Sequence, residues 1–312
     1  MKTRLSLLLA CLSILTLSTL AVAQSRRGPF TTSPRSVRSR DVDQQHIRLD
    51  LHFNWERREM KGRATHTLVP FKPLRRIVLD AAEMKIESVA IAGDGKIKKD
   101  RPLQFKTFSN RLEITLHREY RAGEELMLVI DYVVTKPRRG AHFVVPDESE
   151  PSQPQMVWTQ SEPEYARYWF PCVDTPSDRL TSEIIATVPK KYYVLSNGKL
   201  KGKKDNGDGT TTWHWQQKQL HVPYLMSVVA GEFEVLEQSW DGIPVLSYVP
   251  KGRLADAKRS FEKTPAMLKF FSQKIGVRYP WPKYAQICVD EYGWGGMEHT
   301  SATTLNIGTL HD

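Results

Sequence analysis

Apolar and polar residues alternate from His46 onward: Ile47, Leu49, Leu51 and Phe53 are apolar, and Arg48, Asp50, His52 and Asn54 are polar. A period of two predicts a strand with one face buried and the other wet. Further strands are predicted at residues 76–80, 86–91, 111–116, 126–134, 183–188, 192–196, 211–215, 225–233 and 245–249. Gly93-Asp-Gly, Asn197-Gly and Asn206-Gly-Asp-Gly separate several of these runs, and such residues suit a tight reversal. Short strands at this spacing predict an antiparallel sheet or sandwich.

The period changes after Pro250. Leu254, Ala257, Phe261, Leu268, Phe271 and Ile275 recur at the spacing of an amphipathic helix. Pro265 lacks the amide hydrogen that a helix interior needs, so it kinks or divides the helix, and Gly276 ends it. Pro280-Trp-Pro then leads into an apolar run at 285–289, read as a strand. The chain thus divides into a β-rich domain at 46–237 and a mixed α/β segment at 238–312. That segment is too small to bury a core alone. It either packs on the first domain or belongs to a cut sequence, and a cut is the expectation.

Charge and cysteine usage narrow the class. The formal charge is +10, but residues 1–40 hold seven basic and no acidic side chains, leaving +3 for the rest. Charge confined to a terminus argues against nucleic-acid binding. Lys2 and Arg4, an apolar run at 5–20 and Ala21-Val-Ala23 form the three parts of a secretory signal at 1–23, cleaved before Gln24. An uncleaved anchor with Arg26 and Arg27 as stop-transfer charges is the alternative. The expected location is periplasmic or extracellular, with no membrane attachment after cleavage. Residues 24–45, rich in Ser, Arg, Thr and Pro in their first part, read as a flexible linker. Without Cys11 only Cys172 and Cys288 remain, which is no disulfide framework, and Cys172 reads as a buried thiol.

Two stretches carry candidate chemistry. The first is Val289-Asp-Glu-Tyr-Gly-Trp-Gly-Gly-Met-Glu-His-Thr300. Gly295 and Gly296 lack a Cβ, so a ligand backbone can lie against theirs. Glu298 follows as a lone anion, and a strand edge followed by one carboxylate suits a peptide with a free ammonium. On spacing alone, a glycine-rich loop with a solvated Glu is the better reading. The second stretch is Thr159-Gln-Ser-Glu-Pro-Glu-Tyr-Ala-Arg-Tyr-Trp-Phe-Pro-Cys-Val-Asp-Thr-Pro-Ser177. It reads as a dense polar turn in which Asp174 satisfies local amides and Arg167 pairs with a carboxylate.

Both stretches resemble the aminopeptidase N family of zinc metallopeptidases, which includes leukotriene hydrolase. Gly295-Gly296-Met297-Glu298 is similar to that family's Gly-x-Met-Glu-Asn exopeptidase motif. Gln160 and Glu162 match positions that line its amino-terminal substrate pocket, and Pro171, Cys172, Asp174 and Pro176 match the signature that follows. Ser196-Asn-Gly198, residues 224–233 and residues 279–282 are also similar, so the resemblance covers residues 46–312. It implies a mainly β fold: an antiparallel, saddle-like β-sandwich N-terminal domain, then the start of a mixed α/β, thermolysin-like catalytic domain. It also implies a secreted zinc aminopeptidase acting on peptides with a free N-terminus, with Gln160, Glu162, Gly295, Gly296, Met297 and Glu298 as substrate-binding residues.

There are two departures from the family. His299 stands in place of the usual Asn. The family's His-Glu-x-x-His zinc site, with its distant Glu, is missing: histidines occur at 46, 52, 66, 117, 142, 214, 221, 299 and 311, and no two are four apart. A helix must present two imidazoles at that spacing to share a zinc. No catalytic or metal residue is therefore expected in this chain, and Zn2+ is expected of the complete protein only. A secreted, non-catalytic peptide-binding β-sandwich is the alternative reading, and a carbohydrate-binding or interaction sandwich leaves both motifs idle.

Overall fold

The computed structural model describes residues 40–93 and 100–311. The expected signal peptide, residues 24–39 of the expected linker and part of the Gly93 turn lie outside the described residues. The strand predicted from the 47–53 alternation runs Val42–Asn54, with Val42 and Gln44 already buried ahead of His46. It lies inside an eight-stranded sheet, antiparallel to Glu59–Pro70 and parallel to Leu180–Pro189. The order across that sheet is Lys199–Asp205, Thr210–His221, Leu180–Pro189, Val42–Asn54, Glu59–Pro70, Leu126–Thr135, Met84–Ile91 and Arg101–Pro102. Glu59–Pro70 escapes sequence reading because its buried face includes Gly62, Ala64 and His66. Gly62 is needed there, since a Cβ would lie 2.2 Å from the Tyr132 ring.

A three-stranded sheet (Leu74–Asp80, Arg111–Tyr120, Gln104–Phe108) and a four-stranded sheet (Tyr193–Ser196, Val228–Gly231, Met156–Gln160, Gly140–Val144) complete the β-rich region. Ile77, Leu112, Trp158 and Val229 from these sheets share one hydrophobic cluster with Ile47, Leu49 and Leu128 of the large one. The fold is mainly β with antiparallel sheets, as expected. The strand expected at 225–233 is broken. Pro223–Leu225 is a 3-10 turn, Val228–Gly231 is a short strand, and Phe233–Trp240 opens a different sheet. The charge pattern also gains a feature: Lys199–Asp205 is a fully exposed edge strand carrying four lysines, which guards a free edge against pairing.

Phe233–Trp240 pairs with Ile243–Pro250, and Tyr284–Val289, Ala302–Asn306 and Gly296–Met297 follow across a five-stranded sheet. Pro265 divides the predicted helix into Leu254–Phe261 and Thr264–Ile275. Gly276 ends the second half in the left-handed conformation, φ 77°, as glycine allows without strain. The first helix buries Ala257 and Phe261, but Met267, Phe270, Phe271 and Ile275 of the second are more than half exposed. The amphipathic reading therefore holds for the first helix, while Met267, Phe271 and Ile275 of the second line an open groove with Phe261, Val277, Tyr279 and Tyr284. The segment packs on the β-rich domain, where Tyr248, Ala285, Ile287, Tyr292 and Met297 join the main cluster, and this packing leaves the expectation of a cut standing.

Candidate functional site

Two strands from the two regions deliver the candidate residues. Met156–Gln160 is buried along its whole length between Gly140–Val144 and Val228–Gly231. Thr159 and Gln160 therefore end a core strand, and the polar turn begins only at Ser161. Gln160 is buried, whereas Glu162 is exposed. The turn is built as the sequence suggests. Asp80 and Cys172 exchange both backbone hydrogen bonds, at 2.7 and 3.0 Å. Asp174 Oδ2 accepts from the Arg167 amide at 3.1 Å and from its Nε at 2.8 Å. Burial pushes the Asp174 carboxyl up to about 6 against the pull of Arg167. Cys172 is fully buried and its thiol is raised well above the ordinary range, first by burial. This cluster is structural.

On the other side, Tyr284–Val289 lies between two parallel neighbours, Ile243–Pro250 and Ala302–Asn306. The chain leaves it at Asp290, whose carbonyl accepts from Trp158 Nε1 at 3.0 Å. Tyr292 then turns back under the site. Its ring meets Trp158 edge-on at 5.0 Å, and its hydroxyl donates to Gln160 Oε1 at 2.7 Å. Asn306 Nδ2 donates to the Tyr292 carbonyl, and Asn306 N to the Gly295 carbonyl at 3.1 Å. The half-exposed Trp294 ring lies 5.5 Å from that of Tyr292.

The two glycines differ. Gly296–Met297 is the edge strand of its sheet, paired with Thr304 and Leu305. A Cβ on Gly296 would meet Leu305 Cδ2 at 2.9 Å and Thr304 O at 3.3 Å, so this glycine serves packing inside the sheet. Nothing lies within 4 Å of a Cβ built on Gly295, and this is the backbone that a ligand could approach. Met297 is buried and Glu298 is exposed. His299 is buried, with Nδ1 3.0 Å from Thr304 Oγ1 and Nε2 without a partner. Burial holds its imidazole down to about 3, so it is neutral.

Tyr292 links the two stretches through its hydrogen bond to Gln160. Burial raises its phenol well above the usual range, and the Glu298 and Glu162 carboxylates add to the rise in that order. Neither carboxylate has an ion-pair partner among the described residues. Two exposed carboxylates without ion-pair partners among the described residues are the chemistry that attracts a cation with several donors. A metal does not fit: among the described residues no group of His, Cys, Asp or Glu could hold one.

The peptidase M1 N-terminal domain model matches residues 43–225, and the peptidase family M1 domain model matches residues 259–311. The chain belongs to the peptidase M1 family, whose members are zinc-dependent metallo-aminopeptidases. Aminopeptidase M1-A of Oryza sativa subsp. japonica is 27% identical over 237 residues, 74% of this chain and 27% of that protein. Aminopeptidase M1 of Arabidopsis thaliana is 32% identical over 150 residues, 48% of this chain and 17% of that protein. Leucine aminopeptidase 2 of Candida glabrata is 24% identical over 294 residues, 88% of this chain and 43% of that protein. The chain spans less than half the length of each.

Sequence reading gave no role to Tyr292, Asn197 or Lys283. Tyr292 stood inside the first stretch, where its neighbourhood to glycines was the only signal. Asn197 was read as a turn residue. A single Lys after a Trp-Pro turn, as at 283, has no sequence signature at all.

Proposed function

We propose that this chain supplies the substrate-amine recognition of a zinc aminopeptidase that removes N-terminal residues from peptides. The observation supporting the reading is the Tyr292–Gln160 hydrogen bond of 2.7 Å, which ties together the two stretches that carry Glu162 and Glu298, both exposed and without ion-pair partners among the described residues. A terminal ammonium offers three donors, and its bonds to carboxylates are of the strong, charge-assisted kind. Gly295 and the free edge of Gly296–Met297 align the peptide backbone alongside. A peptide bound through its interior would leave both carboxylates facing it without a cation, which favours exopeptidase action. The family's zinc supplies the hydrolytic chemistry, and no group among the described residues fits it.

The test is calorimetry with leucyl-leucinamide and its N-acetyl form. Binding of the free amine with at least about tenfold preference, one charge-assisted bond's worth, supports the reading. Equal affinities overturn it. Metal analysis of the same purified chain is expected to find no stoichiometric zinc.

We also propose that the protein is exported and begins at Gln24 when mature, on the strength of the basic, apolar and Ala21-Val-Ala23 pattern. Intact mass of the exported protein checks this, and cytoplasmic protein retaining Met1 would count against it.

A further inference from the structure

The two carboxylates come from different regions, Glu162 from the loop after Met156–Gln160 and Glu298 from the loop after Gly296–Met297. Their spacing therefore depends on what ties residues 297–301 to the β-rich region. Thr300 is taken from both sides: its amide donates to the Leu225 carbonyl at 3.3 Å, and its carbonyl accepts from Asn197 Nδ2 at 2.8 Å. Asn197 is itself fixed, since Oδ1 accepts from the Ser227 amide at 2.8 Å and Nδ2 also reaches the Leu225 carbonyl at 2.9 Å. Gly198 N donates to Ser301 Oγ at 2.8 Å.

Lys283 closes this tie. Its side chain is buried under Trp215, with Nζ 4.9 Å from a Trp215 ring centre. Nζ donates to the Ser196 carbonyl at 2.8 Å, to the Ser301 carbonyl at 3.0 Å and to Ser301 Oγ at 3.1 Å. Nζ thus lies within hydrogen-bond reach of three neutral oxygens, one on Ser196 and two on Ser301, and burial lowers the amine's pKa well below its ordinary value. Ser301 has φ 60°, in the left-handed region that side-chain-bearing residues seldom adopt. Such a conformation persists only where its surroundings over-determine it. A buried lysine without a carboxylate is a costly way to join two segments, and an apolar residue packs more cheaply. What the amine adds is direction: it reaches both oxygens of one turn, three residues after Glu298.

We propose that Lys283, together with Asn197, is the positioning residue of the amine site. It holds the Ser301 turn against Ser196–Gly198 and thereby sets the spacing and direction of the Glu298 carboxylate relative to Glu162. This rests on the assignment of Glu162 and Glu298 as the partners of the ammonium.

The test uses the 312-residue chain, calorimetry, and leucyl-leucinamide with its N-acetyl form as probes. Lys283→Met keeps the length of the side chain and removes its donors. Ser301→Ala removes one of its acceptors and carries the test should Lys283→Met fail to fold. Either variant should weaken free-amine binding about tenfold, as misaligning one charge-assisted bond would, and leave the acetylated peptide unaffected. In a Glu298→Gln background the same substitutions should change free-amine binding by less than about twofold, because the interaction they tune is already gone. Wild-type affinity in a folded variant, or equal losses in both backgrounds, overturns the role of Lys283. A wild-type chain with no preference for the free amine overturns the site assignment itself, and with it this role.

Discussion

Two pairs of acidic residues in this protein have opposite surroundings. Asp174 and Asp178 are fully buried beside Arg167 and Arg40, around the Pro171–Asp174 turn. Glu162 and Glu298 are exposed and face no cation among the described residues. A buried carboxylate with its own guanidinium has its interactions completed by the fold. A solvated pair held beside a buried phenol leaves its attraction for a cation unspent. Both regions carry residues of the family resemblance, so matching a motif does not separate scaffold from site; surroundings do.

The largest expected effect tests the scaffold side. Arg167→Ala strips the buried Asp174 of its partner and should cost about 3–5 kcal/mol of stability, as breaking a buried pair does. Thermal and denaturant unfolding measure it, and the preference for free over acetylated peptide should persist in the folded fraction. A stable variant with lost preference would reverse the comparison. Next is Glu298→Ala, which should lower free-amine affinity about 30-fold, the lower end for truncating one member of a charge pair, since Glu162 retains part of the hold. Calorimetry against the acetylated peptide reads it; equal losses on both peptides would make Glu298 structural.

His299 gives an effect of similar size that appears only in acid. Its folded value, about 3, lies below the ordinary 6.5, so between these values the unfolded chain binds a proton that the folded chain refuses. Stability is then full above pH 6.5 and is lost as pH falls through that window, by about 2 kcal/mol at pH 5. His66 and His221, buried and held down to about 3, act in the same sense. Asp174 and Asp178, pushed up by burial to about 6 and about 7, act in the opposite sense. Comparing His299→Asn with the wild type cancels these shared contributions. Denaturation at pH 5 and pH 7.5 should show a shallower acid loss in the variant, and parallel curves would mean that His299 titrates normally.

The smallest effects separate the two glycines. Gly296→Ala pushes a Cβ onto Leu305 and should cost about 1–3 kcal/mol, the range for overpacking. Gly295→Ala should leave the melting temperature unchanged and weaken peptide binding by a few-fold, about what a crowded backbone contact is worth. If Gly296→Ala is harmless while Gly295→Ala unfolds the chain, the assignment of the two glycines is inverted.

Alternation alone located the strands at 47–53, 126–134 and 183–188, because their buried faces are apolar without interruption. It missed Glu59–Pro70 and the strand ending in Gln160. In the first, Gly, Ala and His stand on the inward face. In the second, both faces are buried, so no alternation exists to be read. The helix break at Pro265 and its end at Gly276 were legible because they depend on backbone chemistry that these residues carry anywhere. The exposed face of Thr264–Ile275 was not, since spacing reports which residues share a face and not what stands opposite.

For the site, the sequence by itself determined the identities: two glutamates, a glutamine and two glycines in stretches that resemble one family. That follows from chemistry tied to residue type and local order. Only the tertiary structure decided that Tyr292 bonds to Gln160 and so joins the two stretches, that Gly295 rather than Gly296 has the open backbone, and that Lys283 and Asn197 join the two regions. These are relations between residues far apart in the chain, 87 positions for Lys283 and Ser196 and 103 for Asn197 and Thr300, or between a backbone and the strand beside it. They arise from packing and from the direction of hydrogen bonds, neither of which has a period or a spacing along the chain.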